Sequence, residues 1–153
     1  MEAVRRRDAG VLRQTTARDA HAVVPVVANP GYQAFLILRI GFTVAPIVAG
    51  LDKFANLLGD WSKYLAPVIP KTLCVSPELF MRGVGPIEIV AGLLVAAVPR
   101  YAAYIVAAWL AAIIVNLLVL GAYLDVALRD LGLMLGAIAL GRLAQGVHEW
   151  KKR

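Results

Sequence analysis

Four stretches of this chain, residues 34–53, 80–98, 101–123 and 126–144, are almost wholly apolar, and their length leaves few choices of fold. A helix rising 1.5 Å per residue needs about 20 such residues to cross the roughly 30 Å hydrocarbon layer of a bilayer, or slightly fewer when flanking side chains reach back to the interface. Strands of a membrane barrel would alternate in polarity over about ten residues. These runs do not alternate, so helices, which satisfy their own backbone hydrogen bonds, are the expected spanning elements. The expected fold is all-α: an integral membrane four-helix bundle. The third stretch is the clearest, and the fourth is pinched by Arg129, Asp130 and Arg142.

Hydrophobic residues make up 60% of the 153 and charged residues 17%, against roughly 45–50% and about 25% in soluble domains, so lipid is the expected solvent. The formal net charge of +6 does not point to nucleic acid, because the basic residues gather at the chain ends without interleaved aromatics. They read instead as a topology signal. With four spans both termini share a side, and that side holds ten of the 16 Lys and Arg residues. Lys53, Lys63, Lys71, Arg82 and Arg129 fall on the other side, and Arg39 lies within the first span. The positive-inside rule then places both termini in the cytoplasm, with Trp61, Tyr64 and Tyr123 at the outer boundary. Residues 1–33 read as a mobile basic cytoplasmic arm and residues 145–153 as a basic tail. The patch 22–28 is too short, and interrupted by Pro25, to be a cleavable signal, so the first span is expected to serve as its own insertion signal.

Cys74 is the single cysteine, which excludes an internal disulfide or a dithiol relay. His21 and His148 flank the apolar part, so no intramembrane haem or zinc site is expected. A redox centre would have to be a bound organic cofactor or belong to a partner.

Few polar residues remain inside the apolar stretches, and an ionisable residue in lipid is a functional-site hypothesis by default. Arg39, Thr43, Pro46, Gly50 and Lys53 recur in steps of four and three and form one helical stripe expected to face protein. Gly85, Glu88 and Gly92 share a face of the second helix, where the glycines permit close approach to the carboxylate. Gly132 and Gly136 make a Gly-x-x-x-Gly pair on the fourth helix, and Asp125 precedes Arg129 at ion-pair spacing. Counted from the outer boundary, Asp52, Lys53, Glu88, Asn116, Arg129 and Asp130 converge on one half of the bundle. Glu88 either pairs with Arg129 or Arg39 and fixes helix register, or stays unpaired with a raised pKa and exchanges protons with a ligand such as a quinone. The connecting segment 54–79 carries Phe54, Leu57, Leu58, Trp61, Tyr64 and Leu65 at helical intervals and reads as an interfacial helix over the outer end.

Four motifs occur in order: Leu38-Arg39-Ile40-Gly41, Ala49-Gly50-Leu51-Asp52-Lys53-Phe54, Gly83-Val84-Gly85-Pro86-Ile87-Glu88-Ile89-Val90-Ala91-Gly92 and Leu128-Arg129-Asp130-Leu131-Gly132. Together they resemble the DoxX-like family of small four-helix bacterial membrane proteins over residues 34–144. The resemblance implies a bacterial inner-membrane bundle and, in some relatives, a membrane subunit of thiosulfate:quinone oxidoreductase or of an assembly handling oxidative and thiol stress. It supports Arg39, Asp52, Lys53, Glu88, Arg129 and Asp130 as family-type positions.

Two functions follow as expectations. In the first, the protein is a membrane subunit, dependent on an oxidoreductase partner, whose polar residues hold a quinone: Glu88 handles protons, Arg39 or Arg129 donates hydrogen bonds and Asn116 orients the carbonyl. In the second, it is a noncatalytic scaffold that recruits a soluble partner through segment 54–79 or the basic ends. A transporter is disfavoured because four helices without an internal repeat offer little for alternating access unless the chain forms a homo-oligomer.

Overall fold

Prolines open three of the long helices, at the position where a missing N–H costs nothing because the first turn has no intrahelical acceptor for it. The computed structural model describes residues 29–150, and among them every regular element is helical. In chain order these are α1 (Pro30–Ala55), a short 3-10 helix (Trp61–Tyr64), α2 (Val68–Leu73), α3 (Pro77–Ala97), α4 (Pro99–Leu120) and α5 (Leu124–Trp150). The Ser76 side chain caps α3 by accepting the Leu79 N–H, and Gly121, at φ 69°, ends α4 in the left-handed conformation.

Three helices, α1, α3 and α4, are long and apolar enough to cross a membrane, which points to a membrane protein. Their outward faces carry Ile37, Ile40, Val90, Leu93, Ile105, Val115 and Val119, all exposed. α5 is the longest helix but is more polar, with Asp125, Arg129 and Arg142 on exposed positions.

Small residues set the helix contacts. A Cβ placed on Gly50 would lie 2.5 Å from the Gly85 carbonyl oxygen, and one on Gly92 would lie 2.6 Å from that of Thr43. Seven residues along α1 from Thr43 to Gly50 therefore match seven residues backward along α3 from Gly92 to Gly85. The two helices are antiparallel and in backbone contact along the expected stripe. α4 and α5 pack through buried Ala102, Ala103 and Ala107 on one helix and Ala137 and Ala144 on the other. Leu117 and Leu140 are fully enclosed.

Several boundaries differ from expectation. α1 begins at Pro30, so residues 30–33 are helical, and α5 continues through residues 145–150, read from sequence as tail. Residues 1–28 and 151–153 of the expected arm and tail lie outside the described residues. The Gly-x-x-x-Gly pair of α5 does not act as a unit: nothing approaches Gly132, whereas Gly136 takes the Phe42 ring and Gly141 takes Tyr104. α5 is rotated so that a different set of glycines faces its neighbours. Segment 54–79 is not one helix either. Asn56, at φ 50°, stops α1, and the chain re-forms only as the 3-10 turn and the six-residue α2.

Candidate functional site

The last turn of α1 puts two opposite charges side by side. Consecutive helical residues point about 100° apart, so Lys53 turns toward α3 while Asp52 turns toward the chain that follows. The Lys53 Nζ donates to Glu88 Oε2 at 2.6 Å, with both side chains buried. Asp52 Oδ1 accepts the backbone N–H groups of Leu57 and Leu58 at 2.9 and 3.1 Å, and its Oδ2 accepts the indole N–H of Trp61 at 2.7 Å. The same indole presents its ring to Lys53, whose Nζ sits 4.1 Å from the ring centroid. Trp61 therefore touches both charges, one through its N–H edge and one through its π face.

A second clamp lies one helix away. Asn116 on α4 donates from Nδ2 to the Tyr64 carbonyl at 2.6 Å and accepts the Ala66 N–H on Oδ1 at 2.9 Å. Both ends of the amide are consumed in pinning residues 64–66 over the bundle, and Leu65 and Ala66 are buried there. The Tyr64 ring also packs on Tyr123, centroid to centroid 4.7 Å. Upstream, Asp60 caps the 3-10 helix by accepting the Ser62 N–H and hydroxyl. That hydroxyl hydrogen bond, more than nearby Lys63, holds the Asp60 carboxyl below the ordinary carboxylate range against a smaller opposing effect of desolvation.

The remaining expected residues stand apart. Arg39 donates to the Ala96 carbonyl near the C-terminus of α3, where a cation meets the negative end of the helix dipole. Fourteen residues, about 21 Å of helix, separate it along α1 from Lys53, so it belongs to the opposite end of the bundle. Arg129 pairs with Asp125 at 3.3 Å on an exposed helix face, where such a pair is worth little. Glu88 thus pairs with neither arginine. Asp130, half-buried, lies within the electrostatic reach of Arg129 and, more weakly, of Glu88, and makes no ion pair or hydrogen bond among the described residues.

The expected cluster accordingly separates into a Lys53–Glu88 pair with Asp52 and Asp130 near it, an Asn116 clamp, and two arginines engaged elsewhere. Trp61 is the component the sequence did not single out as a polar partner: it stands nine residues after Asp52, a spacing that no helical period connects. A cleft of ≈ 70 Å³ opens beside the pair, lined by Lys53, Asn56, Trp61, Glu78 and Arg82 among others. Among the described residues no three His, Cys, Asp or Glu side chains gather as a metal centre requires, and Cys74 is free and exposed. Compared with known protein families, with characterised proteins and with solved structures, the chain matches none.

Proposed function

We infer that the protein is a four-helix membrane subunit of the DoxX-like type that holds a partner at the bacterial inner membrane, with both termini cytoplasmic, and carries no reaction of its own. α5 is the fourth span in this reading, its charges near the two boundaries where they can snorkel. The observation that carries it is the consumption of the polar groups. Lys53 is held by Glu88 and Trp61, Asp52 by two backbone N–H groups and an indole, and Asn116 by a carbonyl and an amide. Each bonds another part of the same chain, as groups that fix a fold do. The DoxX-like resemblance supports an oxidoreductase of quinone-linked chemistry as the partner.

Purification in native-lipid discs, followed by mass spectrometry of proteins and extracted quinones in the same sample, tests this reading. A reproducible stoichiometric protein partner without stoichiometric quinone is the expected result. Stoichiometric quinone in the purified protein overturns it. Asp130 favours that second reading, in which the protein holds a quinone: it is half-buried, lies in the fields of Arg129 and Glu88, and makes no hydrogen bond among the described residues, which leaves its carboxyl group available to a ligand hydroxyl.

A further inference from the structure

The turn that follows α1 combines two properties that rarely occur together at a loop. Its side chains are the most exposed large apolar groups described: Leu57 is 86% exposed and Leu58 70%, the latter matched only by Ile37. Yet its backbone is not left for water to satisfy. Asp52, itself buried, receives the N–H groups of both leucines and the Trp61 indole on its two carboxylate oxygens.

In water neither arrangement is required. Solvent would satisfy those amide donors without a buried carboxylate, and two adjacent leucines would gain by turning inward. In an apolar medium both have a cause, because backbone donors there must find internal acceptors and leucine side chains are at home facing outward. The leucines also continue a surface. Val44, Val48, Leu51 and Ala55 form an exposed stripe that runs to the last residue of α1, and the exposed Leu57 and Leu58 follow within three residues of its end. Two residues beyond Leu58 the character changes: Asp60 and Lys63 are solvent-facing and pair at 3.5 Å, as expected of groups at the water boundary.

We propose that the Asn56–Gly59 turn is immersed in the lipid at the acyl–headgroup boundary, with Leu57 and Leu58 in contact with lipid chains and Asp52 as the internal acceptor that makes this immersion tolerable. The proposal rests on the membrane reading given above and adds that the connection between α1 and α3 anchors in the bilayer instead of projecting from it. A loop so held presents Asp60, Lys63 and the cleft mouth at a fixed height over the membrane.

Site-directed spin labelling of the full chain in phosphatidylcholine–phosphatidylglycerol vesicles tests it. In a Cys74→Ser background, single cysteines replace Leu57, Leu58, Val48 and Lys63, each carrying a nitroxide, and collisions with oxygen and with a water-soluble nickel chelate are compared. Leu57 and Leu58 are both exposed, so either substitution leaves the fold intact and each checks the other. The expected result is that oxygen exceeds the nickel chelate at Leu57 and Leu58, by a smaller factor than at the deeper Val48, while the nickel chelate dominates at Lys63. Nickel-dominated collisions at the two leucines, with Val48 still oxygen-dominated, overturn the proposal and leave the membrane reading standing. Nickel dominance at Val48 as well overturns both. Labels at Leu57 and Leu58 that neither reagent reaches show that a second copy or another protein covers the turn, which also overturns immersion in lipid.

Discussion

The indole nitrogen of Trp61 lies 2.7 Å from the Asp52 carboxylate while the ring of the same residue lies 4.1 Å from the Lys53 ammonium. One side chain on the connecting segment thus reads both charges at the end of α1, and through Lys53 it reaches Glu88 on α3. Trp61→Phe should keep the contact with Lys53 but leave Asp52 Oδ2 with only its longer bond to the Leu58 N–H, at 3.2 Å, whereas Trp61→Leu should lose both the indole hydrogen bond and the ring contact. The loss of stability is therefore expected to rise from Phe to Leu, with the hydrogen-bond step worth roughly 1.5–3 kcal/mol and the ring step about 0.5–2 kcal/mol. Thermal unfolding of the purified protein in detergent orders the two variants, and equal losses would show that the indole N–H contributes nothing.

The Lys53–Glu88 pair predicts strongly non-additive mutants. Removing one partner leaves the other buried without a countercharge, at a cost of roughly 3–5 kcal/mol. Lys53→Met and Glu88→Leu together remove both charges and should restore most of the loss. A double-mutant cycle by thermal or denaturant unfolding reads this directly. Single losses that simply add in the double variant would mean that the two side chains act independently.

Gly50 and Gly132 should respond in opposite directions to the same substitution. Gly50→Ala drives a Cβ to 2.5 Å from a backbone carbonyl that cannot swing away, so α1 and α3 have to separate, at about 1–3 kcal/mol. Gly132→Ala meets open space and should gain up to about 1 kcal/mol of helix propensity. Melting temperatures of the two variants against the parent give the signs.

The stripe Arg39, Thr43, Pro46, Gly50 and Lys53 was legible because helical periodicity alone fixes which residues of one helix share a face. The partner of Glu88 was not. Choosing among Lys53, Arg39 and Arg129 requires the axial register of α1 on α3, and that register is set by backbone contacts at Gly50–Gly85 and Thr43–Gly92 that charge spacing does not reveal. The connecting segment misled for a different reason. Phe54, Leu57, Leu58, Trp61 and Leu65 follow a helical period, but the Asp52 carboxylate takes the N–H groups of Leu57 and Leu58 that a helix would direct to its own carbonyls. A side chain competing for backbone donors ends the helix where apolar spacing would continue it. Gly132 and Gly136 illustrate the limit of motif reading on α5: the spacing is present, but only the rotation of the helix decides whether it faces a neighbour.

Asn116 should matter to the connecting segment more than to α4, which carries it. Asn116→Leu keeps an apolar side chain of similar size but leaves the Ala66 N–H, on a residue 1% exposed, without its acceptor. That costs about 1–3 kcal/mol, concentrated on residues 64–66. Amide hydrogen exchange should accelerate at Ala66 and Leu65 and stay slow along the buried face of α4. Uniform acceleration over all helices would instead make Asn116 a determinant of global stability.

Acid should loosen the 3-10 turn before it affects the helices. The Asp60 carboxyl titrates below its unfolded value because it accepts the Ser62 hydroxyl and N–H as an anion. A carboxylate whose folded pKa is depressed contributes stability that is present above the unfolded pKa, about 3.9 for Asp, and is lost as pH falls through the lower folded value. The neighbouring Trp61 reports on this turn, so its fluorescence should change as pH falls below about 4 while helical circular dichroism holds. Because Asp52 also bonds Trp61, the diagnostic comparison is with Asp60→Asn, which cannot titrate at this position. The part of the transition belonging to Asp60 should be missing in that variant, with the turn already looser at neutral pH. An unchanged acid transition in Asp60→Asn would assign the whole effect to Asp52 and leave the cap without a measurable role.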